Sequence, residues 1–281
     1  MRDLSSVGYY ISNRIGRAIA DYKLIEDKDR ILVAVSGGKD SLTLLKLLNE
    51  RKKWAPIKYE LIAIHIETDY KCAGCVHTKV LTKFFEDNKI EYHFEKIKIL
   101  DKVRKTTCFW CSWNKRKALF RAADRLGCNK VAFGHHKDDI VETLLLNLFY
   151  HGEYSAMNAR QELFGGRIVL IRPLCYVEEE YTKKFAKEAN FPSQLCRCPN
   201  SQISKRRMMK DILKDIEKDC SYVKKNLFRS IARVNKEYIQ YVPSEDMDLE
   251  ETNYNTGGGE TNGRESRKGR HKAPEGVSLL R

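Results

Sequence analysis

The sequence predicts a doubly wound α/β fold, a parallel sheet wrapped by helices on both faces. Three observations predict it. Short apolar runs, rich in β-branched residues, alternate along the chain with helical segments of about 10–15 residues. These runs are continuous rather than alternating in polarity, as strands buried on both faces require. Two of them end in glycine-containing polar loops, Ser36-Gly37-Gly38-Lys39-Asp40-Ser41 and Gly134-His135-His136-Lys137-Asp138-Asp139, that open into helices.

Residues 5–22 place Val7, Ile11, Ile15, Ala18 and Ile19 at helical spacing. ILVAVS (31–36) reads as the first buried strand and LTLLKLLNE (42–50) as the helix after it. YELIAIHIE (59–67) is the second strand, followed by a helix around 77–88 and a third strand at 91–97. A helix is expected over 111–126, a strand over 130–133 and a helix over 140–150. A strand at 168–171 runs into Arg172-Pro173, and helices are expected near 178–189, 205–219 and 222–238. After Pro243 the apolar periodicity stops, and the tail includes the polar, glycine-rich TGGGETNGRESRKGRHK. Such a segment buries too little apolar surface to order itself. The expected organisation is an N-terminal helix in 1–26, a main domain in 27–220, a C-terminal helix in 221–243 and a disordered tail in 244–281.

The chain of 281 residues is 42% hydrophobic, enough for a substantial core, and carries a net charge of +14. Residues 244–281 hold eight acidic and six basic side chains, so the first 243 residues carry +16. A body this basic points to a polyanionic partner, nucleic acid first, against the plainer reading of a solvated lysine-rich surface. The basic clusters are Arg14/Arg17, Lys115-Arg116-Lys117, Lys205-Arg206-Arg207 with Lys210, and Lys224-Lys225 with Arg229 and Arg233. Contacts from Lys205, Arg206 and Arg207 to RNA phosphates are the principal expectation, because such contacts position RNA without reading its sequence. No stretch approaches the roughly 18 apolar residues that span a bilayer, and the N-terminus lacks a signal-type apolar region. No membrane partner and a cytoplasmic location are therefore expected.

Ser36–Ser41 joins a buried strand to a helix. Its two glycines permit a tight turn, and the helix N-terminus offers unpaired N–H groups and a positive dipole end to an anion. Ser36 and Ser41 add hydroxyls and Lys39 adds a charge. The pattern matches neither G-x-x-x-x-G-K-[ST] nor G-x-G-x-x-G. An ordinary strand-to-helix turn with a serine cap is the plain alternative. The loop 134–139 lies at the same sheet edge, where Gly134 lets a nucleotide approach the backbone. Asp139 and Asp40 are hard oxygen ligands suited to Mg²⁺. His135 and His136 resemble zinc ligands, but adjacent residues at a strand end point apart.

Nine cysteines include Cys108-Phe109-Trp110-Cys111, Cys72-Ala73-Gly74-Cys75 and Cys196-Arg197-Cys198. Cysteines three apart lie on one helix face and can share a metal. One more thiolate from Cys196 or Cys198 gives three ligands and an open coordination position, with a structural zinc site as the alternative. Thiolates select iron–sulfur, zinc or cuprous ions. Cys72 and Cys75 are candidates to relay sulfur, bind a metal or form a redox pair, or are ordinary loop thiols. Cys128, Cys175 and Cys220 read as packing residues. Phe109, Trp110 and Trp113 are equally suited to stacking on a splayed base or to a core.

SGGKDS at the end of the first strand resembles the PP-loop of the ATP pyrophosphatases, whose fold is of the HUP-like, adenine nucleotide alpha hydrolase type. The order T-T-C-x-x-C, G-H-H-x-D-D, R-P-L and then a cysteine before a basic helix resembles the tRNA 2-thiocytidine synthetase family (TtcA) and the related 2-thiouridine synthetases (TtuA). The similarity covers roughly residues 27–220. It implies ATP held by Ser36, Gly37, Gly38, Lys39, Asp40 and Ser41, with Ala34, Ile64, Gly134 and Asp139 at the same site. Asp139, Asp40 and Lys115, the last placed four residues after Cys111, are the implied catalytic residues. It also implies a [4Fe–4S] cluster on Cys108, Cys111 and Cys198, with Cys196 the alternative third ligand; Cys198 is chosen because related thiolases have Cys-Pro there.

The implied activity is ATP- and Mg²⁺-dependent tRNA thiolation. A pyrimidine C2 oxygen is adenylated, and sulfur delivered on the cluster replaces it as AMP leaves. The implied partners are tRNA and a sulfur donor such as a cysteine desulfurase, and a homodimer is compatible with the resemblance. The chain departs from the thiouridine type in lacking terminal C-x-x-C zinc pairs, which favours cytidine, and from the thiocytidine type in carrying Cys72/Cys75. Rival readings are a 2-thiouridine synthetase, another PP-loop tRNA ligase that needs no cluster, and a non-catalytic RNA-binding protein with a structural zinc.

Overall fold

A computed structural model describes residues 4–69, 75–100, 106–192 and 205–238. The elements are α1 (Ser6–Tyr22), β1 (Asp29–Ala34), α2 (Lys39–Arg51), β2 (Tyr59–Thr68), α3 (Cys75–Asp87), β3 (Glu91–Ile97) and α4 (Cys108–Arg125). They continue with β4 (Lys130–Ala132), α5 (Lys137–His151), β5 (Arg160–Leu163), β6 (Ile168–Ile171), α6 (Glu179–Glu188), α7 (Lys205–Asp219) and α8 (Val223–Ser230). Among the described residues there is one sheet, in the order β3-β2-β1-β4-β6-β5. Its first five strands are parallel, and β5 pairs antiparallel with β6. The expected α/β class holds. β5 escaped the sequence reading because Arg160-Gln161-Glu162-Leu163 carries no apolar run; an edge strand needs only backbone pairing on one side.

Strand alternation divides the core. Ile31 and Val33 of β1 pack with Leu61 and Ala63 of β2 in the cluster that receives α1, α2, α3 and α6. Leu32, Ile62, Ile64 and Val131 point the other way, onto Leu119, Phe120, Ala122 and Ala123 of α4. Both faces of the central strands are therefore dry, which is why their sequences read as continuous apolar runs. Ser5 caps α1 by accepting from the Gly8 N–H at 3.1 Å, and Ile11 and Ile15 are fully buried. A side chain at Gly8 would stand 2.8 Å from the Phe185 ring, so α1 lies hard against α6. Met209 and Leu213 of α7 pack on Val141 and Leu145 of α5.

Four helix limits differ from expectation: α2 begins at Lys39 rather than 42 and α5 at Lys137 rather than 140, each with polar loop residues forming its first turn. Thr107 accepts from the Trp110 N–H at 3.1 Å and starts α4 at Cys108 rather than 111. That first turn is exposed, so it carried no apolar periodicity to read. α8 ends at Ser230, short of 238. Beyond it the side chain of Asn235 accepts from the Glu237 N–H at 3.2 Å, a local bond that competes with helix continuation. The chain divides into two compact units, Met1–Val234 and Asn235–Arg281. In the second the described residues form a 3₁₀ turn at Lys236–Tyr238. The segment 244–281 lies outside the described residues, as do Cys72, Cys196 and Cys198. Among the described residues no helix is long and apolar enough to cross a membrane.

Candidate active site

β1 is followed on one side by β2 and on the other by β4, so the chain reverses direction across the sheet at this point. The loops leaving β1 and β4 diverge there and leave a crevice. A cavity of about 420 Å³ occupies it. Gly37 takes a left-handed φ of 83°, which an L side chain resists, and Gly38 caps α2 in extended conformation. Ser36 Oγ accepts from the Gly38 N–H at 3.3 Å, and Ser41 Oγ donates to the Gly38 carbonyl at 2.8 Å. The loop is thus closed on itself and presents the α2 N-terminus to the cavity.

The second loop is set against the first. A Cβ on Gly134 would stand 2.9 Å from Ser41 N and 3.0 Å from the Asp40 carbonyl carbon. Gly134 lines the cavity, but the space a side chain would need is filled by the start of α2 rather than kept for a nucleotide. His136 and Asp139 form a reciprocal cap on α5. Asp139 N–H donates to His136 Nδ1 at 3.2 Å, and His136 N–H donates to Asp139 Oδ2 at 3.0 Å. The cap turns His136 inward, its Nε2 3.9 Å from Asp40 Oδ2. The two histidines do not converge. His135 stacks on Phe133 at 5.5 Å and accepts from Arg172 Nε at 3.3 Å. Burial and the Arg172 guanidinium push the His135 pKa down to about 3. Burial, with Arg116 beside it, lowers Arg172 to about 10.

A partly buried ion network supports the loop from behind. Lys39 Nζ donates to Asp40 Oδ2 at 2.8 Å and to Glu179 Oε1 at 3.2 Å. Glu179 also receives Lys183 at 2.9 Å and Lys210 at 2.7 Å. Burial alone would raise the Glu179 carboxyl, but hydrogen bonds from Lys183 and Lys210 and the charge on Lys39 hold it far below the usual range. Thr182, fully buried, donates to Asp40 Oδ1 at 2.5 Å. Arg206 of α7 reaches Asp139 Oδ1 at 3.1 Å, Thr143 Oγ1 at 3.0 Å and Glu142 at 3.8 Å.

α4 links the cysteines to the cavity. Ser112, Lys115, Arg116 and Leu119 line it. Cys108, Cys111, Ser112, Lys115 and Leu119 follow at i, i+3, i+4, i+7 and i+11, one face of one helix. Cys108 is exposed and Cys111 half-buried. Phe109 and Trp110 are 66% and 49% exposed, so they are not core residues. Trp110 stacks on Trp113 at 5.5 Å, and Lys117 sits over the Trp113 ring. Cys128 and Cys175 are buried, which raises their thiols to about 11 and about 12. Cys75 begins α3. Among the described residues no group of three or more His, Cys, Asp or Glu side chains gathers at metal-binding range.

Of the residues singled out in the sequence, Ala34, Ser36, Gly38, Asp40, Ser41 and Ile64 line the cavity, as do Lys115, Gly134 and Asp139. Gly37 supplies the turn. Lys39 instead points into the ion network. Lys205 lies over the Tyr150 ring at 4.1 Å, Arg206 is committed to α5, and Arg207 pairs with Asp211 at 3.0 Å. Sequence reasoning missed Arg116 as a cavity wall, and Thr182, Glu179 and Arg172 as supports. Arg172 alone carried a hint, through the R-P-L motif.

Comparison with known proteins agrees with this fold. The PP-loop domain family profile matches residues 10–193. The tRNA-cytidine(32) 2-sulfurtransferase of Geobacter sulfurreducens is 42% identical over 237 residues, covering 82% of this chain and 91% of that protein. The protein of the same name from Delftia acidovorans is 39% identical over 231 residues, covering 80% and 73%. The structure of the U34-tRNA thiolase NcsA from Methanococcus maripaludis with its [4Fe–4S] cluster superposes with a TM-score of 0.64 at 25% identity, covering 83% of this chain and 79% of that one.

Proposed function

Because this chain belongs to the tRNA-cytidine 2-sulfurtransferase family of PP-loop enzymes, we propose that it adenylates C2 of a tRNA cytidine with ATP and replaces that oxygen with sulfur. The observation that carries the reading is the shared face of α4, which runs from Cys108 and Cys111 to Lys115 in the cavity that the PP-loop bounds.

The PP-loop amides, the Ser36 and Ser41 hydroxyls and the α2 dipole hold the ATP phosphates. Ile64, Ile66, Leu119 and Phe133 form an apolar wall suited to a base. Asp40 and Asp139 supply hard oxygens for Mg²⁺. Both oxygens of Asp139 are engaged, one by His136 N–H and one by Arg206. Asp139 would hold the cation only with Arg206 released from its Oδ1. The cytidine C2 oxygen attacks the α-phosphate and pyrophosphate leaves. Lys115 and Arg116 face the cavity and balance the charge that develops on the transferring phosphate. Adenylation is needed because the C2 oxygen is otherwise a poor leaving group. A sulfur nucleophile then adds at C2, and AMP departs with the former C2 oxygen, with no net redox change.

The first turn of α4 fits an iron–sulfur site. It presents two thiols on one face at the N-terminus of α4, the exposed Cys108 and the half-buried Cys111. Cys108 and Cys111 would hold a [4Fe–4S] cluster together with Cys198, or Cys196 in its place. The group supplies a thiophilic iron for sulfur. The cluster-bearing thiolase neighbour supports this reading. The sulfur that adds at C2 is at the sulfide level; with a cysteine desulfurase as donor, the outer sulfur of its persulfide reaches that level only with two electrons from a thiol reductant, which is oxidised to a disulfide.

Iron and acid-labile sulfide in anaerobically purified variants test the assignment. Cys108→Ala, Cys111→Ala and Cys198→Ala should each lose iron, and Cys196→Ala should be milder. Cys72→Ala and Lys115→Ala should keep it, the latter while losing 2-thiocytidine in tRNA digests. Full iron retention in Cys108→Ala would contradict the cluster site.

A further inference from the structure

A second pocket, of about 450 Å³, lies outside the catalytic cavity and is walled by α1, the start of α5, the segment leading into α6, and α8. Arg14 and Arg17 are i, i+3 neighbours on α1. Lys225 and Arg229 are i, i+4 neighbours on α8, with Phe228 between them on the same face. Lys137 completes the cationic wall, and Glu178 is the one acid among the lining residues. Lys137 is tied to Glu178 at 3.0 Å, and Arg17 to Asp21 at 3.4 Å. Lys225 and Arg229 are exposed and make no ion pair among the described residues.

The pocket is built rather than incidental. Lys224, adjacent to Lys225, bonds to Asp138 at 3.2 Å and to Glu217 at 2.8 Å, and so pins α8 to α5 and α7. That anchoring leaves Lys225 and Arg229 on the pocket. Aromatic rings back the cations: Arg17 lies 5.7 Å from the Tyr176 ring centroid, Lys137 lies 5.6 Å from that of Phe228, and the two rings meet edge to face. Lys137 also belongs to the loop whose Gly134, His135 and Asp139 line the catalytic cavity. One extended polyanion can therefore engage both sites.

By contrast Arg206 and Arg207 spend their charge on carboxylates of the protein, and Lys205 lies over Tyr150. We infer that the α1–α8 pocket, rather than Lys205–Arg207, grips the sugar–phosphate backbone of the tRNA outside the reacting nucleotide. Guanidinium and ammonium groups on aromatic backing, in excess over acid, suit a ribose-phosphate strand. The inference rests on the thiolation reading for its choice of RNA.

The test compares the full-length chain with Lys225→Glu/Arg229→Glu and with a charge-matched control on exposed positions of α7, Lys214→Glu/Lys218→Glu. Affinity for an unmodified tRNA transcript is measured at several salt concentrations, with ATP binding measured alongside. The pocket variant should bind tRNA at least about tenfold more weakly. Its log–log salt slope should fall by about 1.5, since each lost phosphate contact removes roughly 0.7–0.9. Its ATP affinity should be unchanged, and the control should stay within about threefold of wild type. Equal losses in both variants, or none in the pocket variant, overturn the inference while leaving thiolation standing. So does normal tRNA binding by a pocket variant that has lost sulfur transfer from a protein donor, which assigns the surface to that protein. A wild-type chain that binds no tRNA overturns the thiolation reading, and the inference with it.

Discussion

His135 shows how far the site's polarity is built by neighbours. It lies against Arg172, with Arg116, Arg206 and Asp139 also acting on it, and its pKa falls from 6.5 to about 3 through burial and the Arg172 charge. Between those values the unfolded chain binds a proton that the folded chain excludes, so stability falls as pH drops through this window. His135→Asn keeps an acceptor for Arg172 and removes the titration. Urea unfolding at pH 4.5 and 6 should show a stability difference smaller in the variant by up to about 1.4 kcal/mol per pH unit. An identical pH dependence in both chains would show that the imidazole is not held neutral. This behaviour was not legible in the sequence, because Arg172 stands 37 residues away and only the fold brings it to His135. The same holds for Thr182 on Asp40, 142 residues apart. Ser36, Asp40, Ser41 and Asp139 were legible because the residues and the strand-to-helix context that orients them are local.

Elements position these residues through close backbone contacts. The loop after β4 fits the start of α2 only because residue 134 lacks a side chain, with Ser41 N at 2.9 Å from where a Cβ would be. Gly134→Ala should force the loops apart, destabilise the fold by about 1–3 kcal/mol and weaken ATP binding, as read by denaturant unfolding and calorimetry. Wild-type values on both would mean that the contact is slack. Strands and most helices were legible because both faces of the sheet are buried and apolar periodicity records burial. Where burial fails the record fails: β5 is short and polar at the edge, the first turn of α4 is exposed, and α8 stops where no apolar pattern marks an end. Cys108, Cys111 and Lys115 were legible as one helical segment by spacing, but that its face enters the cavity beside the phosphate loop became clear only in the fold.

At the scale of the whole molecule, one crevice brings together a phosphate loop, an apolar wall, two carboxylates, and a helix face that leads back to two thiols. A basic pocket reaches toward it through Lys137. The high positive charge of the body was legible in composition, and Arg14/Arg17 and Lys225 with Arg229 were legible as basic clusters, but their meeting around one pocket was not. The run Lys205-Arg206-Arg207 looked like the strongest RNA site, yet two of its three charges are paired within the protein, whereas Lys225 and Arg229 stay exposed beside a pocket. Adenylation of RNA is read from the fate of ATP labelled in the α-phosphate, incubated with anaerobic protein, sulfide and unmodified tRNA. AMP is expected, formed only with tRNA and in a one-to-one ratio to 2-thiocytidine, and absent in Asp40→Ala. Formation of ADP, or AMP release indifferent to tRNA, would contradict it.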